Sequence, residues 1–189
     1  MPDYTEEKLK EITIGERKPH NSTIYLSEYD PQWPELFTNE KKRIQSVLGE
    51  CILQIEHVGS TSIPGLIAKP IIDILLVVLN SSDEFSYVPQ LESSGYTLRV
   101  REPDWFQHRL LKGQNPAINL HVFSKGCSEI EKMLLFRDYL RTNTQARDLY
   151  ANTKLELAKK TWKYIQDYAS AKSEVIEGIV HDARNFYNP

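Results

Sequence analysis

The contrast between apolar and polar positions is sharpest from Ile52 to Leu79. Ile52, Ile55 and Val58 form an interrupted apolar run, Gly59-Ser60-Thr61-Ser62 breaks it, Pro64-Gly65 turns the chain, and Ile71 to Leu79 continues as an apolar run. This pattern predicts strand, polar turn and strand. An unbroken apolar run suits a strand covered on both faces. Asp73 is the exception within it, because a carboxylate without partners loses its hydration there.

The flanking patterns are weaker but readable. Met1 to Ser22 is dominated by charge, with Glu6, Glu7, Lys8, Lys10 and Glu11 around Leu9, Ile12 and Ile14; it reads as an N-terminal arm, a short exposed helix or a loosely held segment. Residues 23–189 read as a single domain. Ile24 to Leu26 suits a short edge strand. Two prolines and two aromatics in Tyr29 to Phe37 suit an ordered turn into a helix from Pro34, where Leu36, Phe37, Ile44, Val47 and Leu48 make a stripe and Gly49 a stop. Ser81-Ser82-Asp83 then predicts the cap of a helix carrying Phe85, Val88 and Leu91 and ending near Gly95.

Strands are expected at Tyr96–Val100, Phe106–Lys112 and Ala117–Phe123, with turns at Glu102-Pro103-Asp104 and Gly113 to Pro116. From about residue 129 the spacing is helical. Ile130, Met133, Leu134, Arg137 and Leu140 share a face, a long helix runs from Gln145 towards Ala171, and Ser173 to Phe186 forms another. The sum is an α+β fold: a mixed sheet of about five strands, packed by helices and followed by a C-terminal helical segment.

Composition narrows function more than fold. A chain of 189 residues and 21.9 kDa has room for one cored domain. Net charge −3 and a pI near 6.0 exclude a general nucleic-acid binder, which is strongly basic, so any anion must be met locally. Cys51 and Cys127 make neither a disulfide framework nor a zinc spacing. The charged N-terminus lacks the apolar core of a signal peptide and no apolar run reaches a membrane span, so the expectation is a cytoplasmic protein without a membrane partner. The oligomeric state stays open.

The central stretch also carries the candidate chemistry. Gly59 lets backbone N–H groups approach a ligand closely, and the hydroxyls of Ser60, Thr61 and Ser62 add donors, a combination that suits phosphate. Asp73 on the next strand suits the divalent cation that accompanies a nucleotide phosphate. The same residues also fit a plainer arrangement, a capped turn beside a satisfied structural acid. The segment is not a P-loop, since Ala68 precedes Lys69, Pro70 follows it, and the next element reads as strand.

His57-Val58-Gly59-Ser60-Thr61-Ser62-Ile63-Pro64-Gly65-Leu66-Ile67-Ala68-Lys69-Pro70-Ile71-Ile72-Asp73-Ile74 resembles the signature of the GrpB family, whose members are similar to the nucleotidyltransferase superfamily that includes polymerase β. Weaker likeness extends to Tyr29-Asp30-Pro31 with Trp33, Asn119-Leu120-His121-Val122, Phe136 to Arg141, Tyr150 with Lys154, and Tyr168 with Lys172. The resemblance implies nucleotidyltransferase-like topology. It also implies a Gly-Ser turn on the phosphates and two carboxylates, one residue apart on the following strand, holding Mg²⁺ or Mn²⁺. Gly59, Ser60 and Asp73 match this pattern, but Leu75 stands at the second carboxylate position.

Several further residues are candidates around that core. If the strand of His121 neighbours that of Asp73, His121 supplies the missing metal ligand or an acid or base, with His57 a second candidate. Lys69 lies beside the turn, and Arg109 is the preferred phosphate contact among Arg99, Arg101, His108, Arg109 and Lys112. At about 100° per residue, Tyr150, Lys154, Leu157, Thr161, Tyr164, Tyr168 and Lys172 share a narrow arc. That arc is either a wall in which Lys154 and Lys172 neutralise a triphosphate while a tyrosine stacks on a base, or an ordinary helix face with lysine stems on apolar surface. Two functions follow: a metal-dependent nucleotidyltransferase-like enzyme, with Glu56 and Glu102 as spare acids, or a non-catalytic module binding a nucleotide or phosphorylated small molecule.

Overall fold

The structure, a computed structural model, describes residues 5–187. Five strands, β1 (Gln54–Val58), β2 (Ile72–Val78), β3 (Thr97–Glu102), β4 (His108–Gly113) and β5 (Ile118–Ser124), form one mixed sheet in the order β1-β2-β5-β4-β3. β2 and β5 run parallel, and every other pairing is antiparallel. Around the sheet lie α1 (Glu6–Ile12), α2 (Trp33–Leu48), α3 (Val88–Ser93), α4 (Ser128–Thr142), α5 (Thr144–Ala158), α6 (Ile165–Ser170) and α7 (Ser173–Tyr187). This is the α+β class and mixed five-stranded sheet that the pattern predicts. No described helix is long and apolar enough to cross a membrane.

Period two in β2 explains how one apolar run serves two layers. Ile72, Ile74, Leu76 and Val78 join Leu111, Leu120 and Val122 in the larger core, which includes Ile44 and Leu48 of α2 and Val88 and Leu91 of α3. Leu75 and Val77 point the other way, with Val58 and Phe123, onto Ile130, Met133 and Leu134 of α4. Asp73 lies on this second face, at the start of β2.

Five expectations are corrected by the tertiary structure. Ile24 to Leu26 is not a strand; the Ile24 amide donates to the Ala158 carbonyl at 3.1 Å, and Ser27 makes an isolated bridge to Ala68. The helix after Asp83 is split into a 3₁₀ turn at Glu84–Ser86 and α3. The helix from Gln145 towards Ala171 is two helices, because the backbone between them pairs with the N-terminal arm. The Trp162 amide donates to Ser22 and the His20 amide to Lys163, while the Trp162 indole caps the Leu157 carbonyl at 2.8 Å. The arm is accordingly fastened rather than loose, with Ile12 buried and Thr13 bridged to Val100 on β3; its residues 1–4 lie outside the described residues.

Arg109 is the fifth correction. On β4 it pairs with Val122, and its guanidinium turns to the α3 side, away from Asp73. There Nε donates to Glu84 at 2.5 Å, and Arg101, its cross-strand partner, donates to the same carboxylate at 2.6 Å. One carboxylate thus holds two guanidinium groups that would otherwise repel across the pair. Glu84→Ala leaves Arg109 buried and unpaired, and urea titration is expected to show a loss of about 3 kcal/mol.

Candidate functional site

The turn after β1 is shaped by its closeness to Asp73. Val58 pairs with Asp73 across the two strands, and Gly59 follows at φ 67°. A Cβ on Gly59 would lie 2.3 Å from Asp73 Oδ2 and 2.8 Å from Asp73 Cβ, so only glycine fits there. Ser60–Ser62 closes into a 3₁₀ turn in which the Ser62 hydroxyl donates to the Gly59 carbonyl at 2.6 Å. Thr61 and Ser62 are buried and internally bonded, so of the three hydroxyls Ser60 is the one left facing the lysine side.

Parallel pairing of β2 with β5 sets Asp73 beside Asn119 and Leu75 beside His121, all on one face. The Asn119 amide donates to Asp73 Oδ1 at 2.8 Å, and His121 Nε2 lies 3.8 Å from the same oxygen. The Asp73 side chain keeps 26% of its surface exposed, so the acid is not sealed in. Burial raises its carboxyl, but the His121 ring and the Asn119 amide outweigh that and hold it below the usual range.

The opposite wall is basic. Lys154 of α5 is only 2% exposed, and its Nζ donates to Ser60 Oγ at 3.1 Å and to the Ile67 carbonyl while lying over the Tyr150 ring. Among the described residues no carboxylate lies within salt-bridge distance of it. Burial accordingly pulls its ammonium down to about 7, with Lys172 lowering it further and Asp73 acting in the opposite direction. Lys172, whose Nζ lies over the Tyr168 ring, is drawn down by burial to about 8 against the same Asp73 charge. Burial lowers Lys69 and Lys112 as well, and both also feel Asp73.

Lys112, rather than Arg109, is the β4 cation on the Asp73 face. Period two along β4 puts it on the face of His108 and Leu110, opposite Asn119. Tyr150 and Tyr168 reach the site although they sit on separate helices, but both are buried and neither offers a ring to stack on a base. The Tyr150 hydroxyl faces Ser60. That of Tyr168 is buried without a hydrogen-bond partner among the described residues.

His57 lies on the other side of the sheet. It pairs with Ile74, stacks on Phe37 of α2 at 4.8 Å, and its Nε2 lies 3.1 Å from Thr61 Oγ1. Because the Thr61 hydroxyl donates to the Ile71 carbonyl at 3.1 Å, Nε2–H is the donor in the histidine contact. Burial depresses this ring to about 4, so it is a neutral brace for the turn rather than a second base.

The donor set does not fit a resident two-ion centre. Leu75 is fully buried in the α4 core at the second carboxylate position, and no group of three or more His, Cys, Asp or Glu side chains among the described residues is placed to hold a metal. What converges instead is one carboxylate, one imidazole, one glycine turn and four lysines.

Comparison with known proteins agrees with this architecture. The family described as GrpB protein matches residues 23–182. UPF0157 protein BH1888 of Halalkalibacterium halodurans is 62% identical over 179 residues, 95% of this chain and 92% of that one. UPF0157 protein SCO7215 of Streptomyces coelicolor is 42% identical over 161 residues, 85% of this chain and 84% of that one. The crystal structure of the conserved protein GrpB from Enterococcus faecalis superposes with a TM-score of 0.76 at 32% identity, covering 86% of this chain and 99% of that one.

Two outcomes follow from the geometry. Gly59→Ala both clashes with Asp73 and holds alanine at positive φ, and is expected to cost roughly 2 kcal/mol or more in denaturant titration. For the lysines, folded pKa values of about 7 and about 8 lie below the unfolded 10.5, so above the folded values the unfolded chain binds more protons and stability rises with pH. Between pH 7 and pH 9 each lysine contributes at most about 1.4 kcal/mol per pH unit to that rise. Replacing Lys154 and Lys172 together by methionine is expected to flatten it in thermal melts.

Proposed function

The chain belongs to the GrpB family, and on that premise we propose that it binds a nucleotide or other phosphorylated small molecule between the Gly59–Ser62 turn and the lysines of the helical segment. The observation that carries this reading is Lys154: a nearly fully buried ammonium, bonded to the hydroxyl of the glycine turn and lacking a carboxylate partner among the described residues. Such a charge is costly in the ligand-free protein and is stabilised when an anion arrives. Lys172, Lys69 and Lys112 extend the same positive field around Asp73.

In this reading the lysines supply the neutralisation that metal ions supply in a nucleotidyltransferase, and Leu75 favours binding over two-ion nucleotidyl transfer. Phosphate oxygens meet Lys154 Nζ and Ser60 Oγ, and the backbone of the turn can approach because Gly59 has no side chain. Asp73 is then an orienting acid at the edge of the anion site, repelling the phosphate from one side and leaving the lysine side as its seat.

Thermal denaturation with ATP, GTP, UTP and inorganic triphosphate, each with and without Mg²⁺ or Mn²⁺, tests this. A ligand at a hundredfold excess over its Kd adds about 2.7 kcal/mol. Stabilisation without metal is expected, stronger at pH 6 than at pH 9 because the bound anion favours protonated lysines. Lys154→Met is expected to raise the ligand-free Tm and to abolish the ligand response. A response that requires metal and disappears in Asp73→Ala would instead favour the enzyme reading. No response to any of these anions would count against the proposal.

A further inference from the structure

On the Asp73 face of the sheet, Glu102, His108 and His121 form one hydrogen-bonded chain, in which Glu102 meets His108 Nδ1 and His108 Nε2 lies 3.1 Å from His121 Nδ1. Those polar groups have partners. The cations beside them do not. On the opposite face Arg101 and Arg109 share Glu84, but Lys172, Lys69, Lys112 and Arg99 have no carboxylate within salt-bridge distance among the described residues, and neither has Arg17 of the N-terminal arm.

Strand register sets these cations in a line. Asp73, Asn119, Lys112 and Thr97 stand abreast on β2, β5, β4 and β3, so Lys112 is two strands, about 10 Å, from Asp73. On β3 Leu98 pairs with Leu111 and Val100 with Leu110, which makes Arg99 the extra residue of a bulge and leaves Glu102 opposite His108. Arg99 Nη2 donates to the Glu16 carbonyl at 2.9 Å, and a Cβ on Gly15 would lie 3.5 Å from Arg99 Nη1, so the guanidinium is fastened against the arm. Gly15 also lines a cavity of about 300 Å³ with Lys10, Arg17 and Tyr164. There the Arg17 guanidinium lies 4.0 Å over the Tyr164 ring, its three nitrogens buried and without a hydrogen-bond partner among the described residues.

Like charges in this line are close enough to act on one another. Desolvation is the largest influence on each lysine; beyond it Lys69 lowers Lys172, Lys112 lowers Lys69 and Arg99 lowers Lys112, with Asp73 opposing all three. The outer end is permanently charged, because arginine does not titrate in a protein. Glu6, the acid that feels Arg17, is already bonded to Lys163 at 3.4 Å. Lys112 is exposed and Lys172, Lys69 and Arg99 are half-buried, so the middle of the line is open to solvent. No free ring stands along it: Tyr150 and Tyr168 are buried, and Tyr164 is covered by Arg17 and Lys163. A single-stranded nucleic acid needs such stacking faces, whereas a chain of phosphates needs only charge.

We propose that the phosphate seat at Lys154 continues along this line, and that the ligand is a linear polyphosphate of more than three phosphates, free or carried on a nucleoside, running past Lys172, Lys69 and Lys112 to Arg99 and the Arg17 cavity. The inference rests on the phosphorylated-ligand reading for its inner end. Its outer end is new: Arg99 stands on the third strand from Asp73, about 14 Å away, and is held towards the arm, beyond the reach of a triphosphate seated at Ser60. A longer chain brings one anionic oxygen after another to cations that otherwise repel.

Calorimetric titration of the full chain at pH 6 with linear triphosphate, linear tetraphosphate, adenosine tetraphosphate and a longer linear polyphosphate tests this. Affinity is expected to tighten by about tenfold or more from triphosphate to the longest chain, the worth of one charge-assisted contact. Arg99→Gln combined with Arg17→Gln is expected to erase that gain and leave triphosphate binding unchanged. Arg99→Lys combined with Arg17→Lys keeps both charges and is expected to retain the gain, which separates charge from any loosening of the arm. Lys41→Gln with Lys42→Gln, on α2, is expected to change nothing; a loss there equal to that of the arginine variant would mark unspecific attraction and overturn the proposal. A longer chain bound no tighter than triphosphate, or a gain that survives in the glutamine variant, would overturn it while leaving the triphosphate seat standing. A wild-type protein that binds none of these anions would overturn both. Within a positive result, equal affinity for tetraphosphate and adenosine tetraphosphate assigns the free chain, and tighter binding of the adenosine form assigns a nucleotide.

Discussion

The candidate site is organised around Lys154, a lysine buried without a carboxylate partner among the described residues. Lys154 reaches from α5 to the glycine turn between β1 and β2, and the aromatic face of Tyr150 and the hydroxyl of Ser60 are weaker partners than a carboxylate would be. Around it the fold is arranged to hold the strain. Ile63 and Leu66, just beyond the turn, pack with Tyr139, Leu140 and Tyr150 into a core of their own, so the helix bearing the lysine and the turn receiving it cannot separate without exposing apolar surface.

Leu75 leaves β2 with one acid where a two-ion centre has two. Its neighbours Val58, Val77 and Phe123 form the layer on which α4 lies, and a carboxylate at that point would be driven into the core rather than presented to a ligand. One acid on β2 and a basic wall opposite is the solution this sheet permits. The same face carries the Glu102–His108–His121 chain, so its polar groups form a connected line from the edge of β3 to the start of β2 instead of isolated buried defects.

Much of this was legible in the residues. The strand, turn and strand around Gly59 and the lone acid at Asp73 follow from alternation alone, and the period of β5 placed His121 correctly once its strand neighbour was known. Tyr150, Lys154, Tyr168 and Lys172 do converge, but not as one helical arc; the arm at Ser22 and His20 breaks the helix, a long-range pairing that local periodicity does not encode. Period two was also enough to send Arg109 away from Asp73 and to bring Lys112 towards it, once the pairing of β4 with β5 was fixed. Glu102 is different. Its place opposite His108 depends on a one-residue bulge at Arg99, and no feature of the surrounding sequence marks which residue the bulge expels.

The most direct measurement is a crystal structure of the protein grown with a nonhydrolysable nucleoside triphosphate and no divalent metal. The account predicts phosphate oxygens within hydrogen-bond distance of Lys154 Nζ and Ser60 Oγ. A nucleotide bound elsewhere on the surface, or phosphates seated on ions held by Asp73 with Lys154 still tied to Ile67, would contradict it.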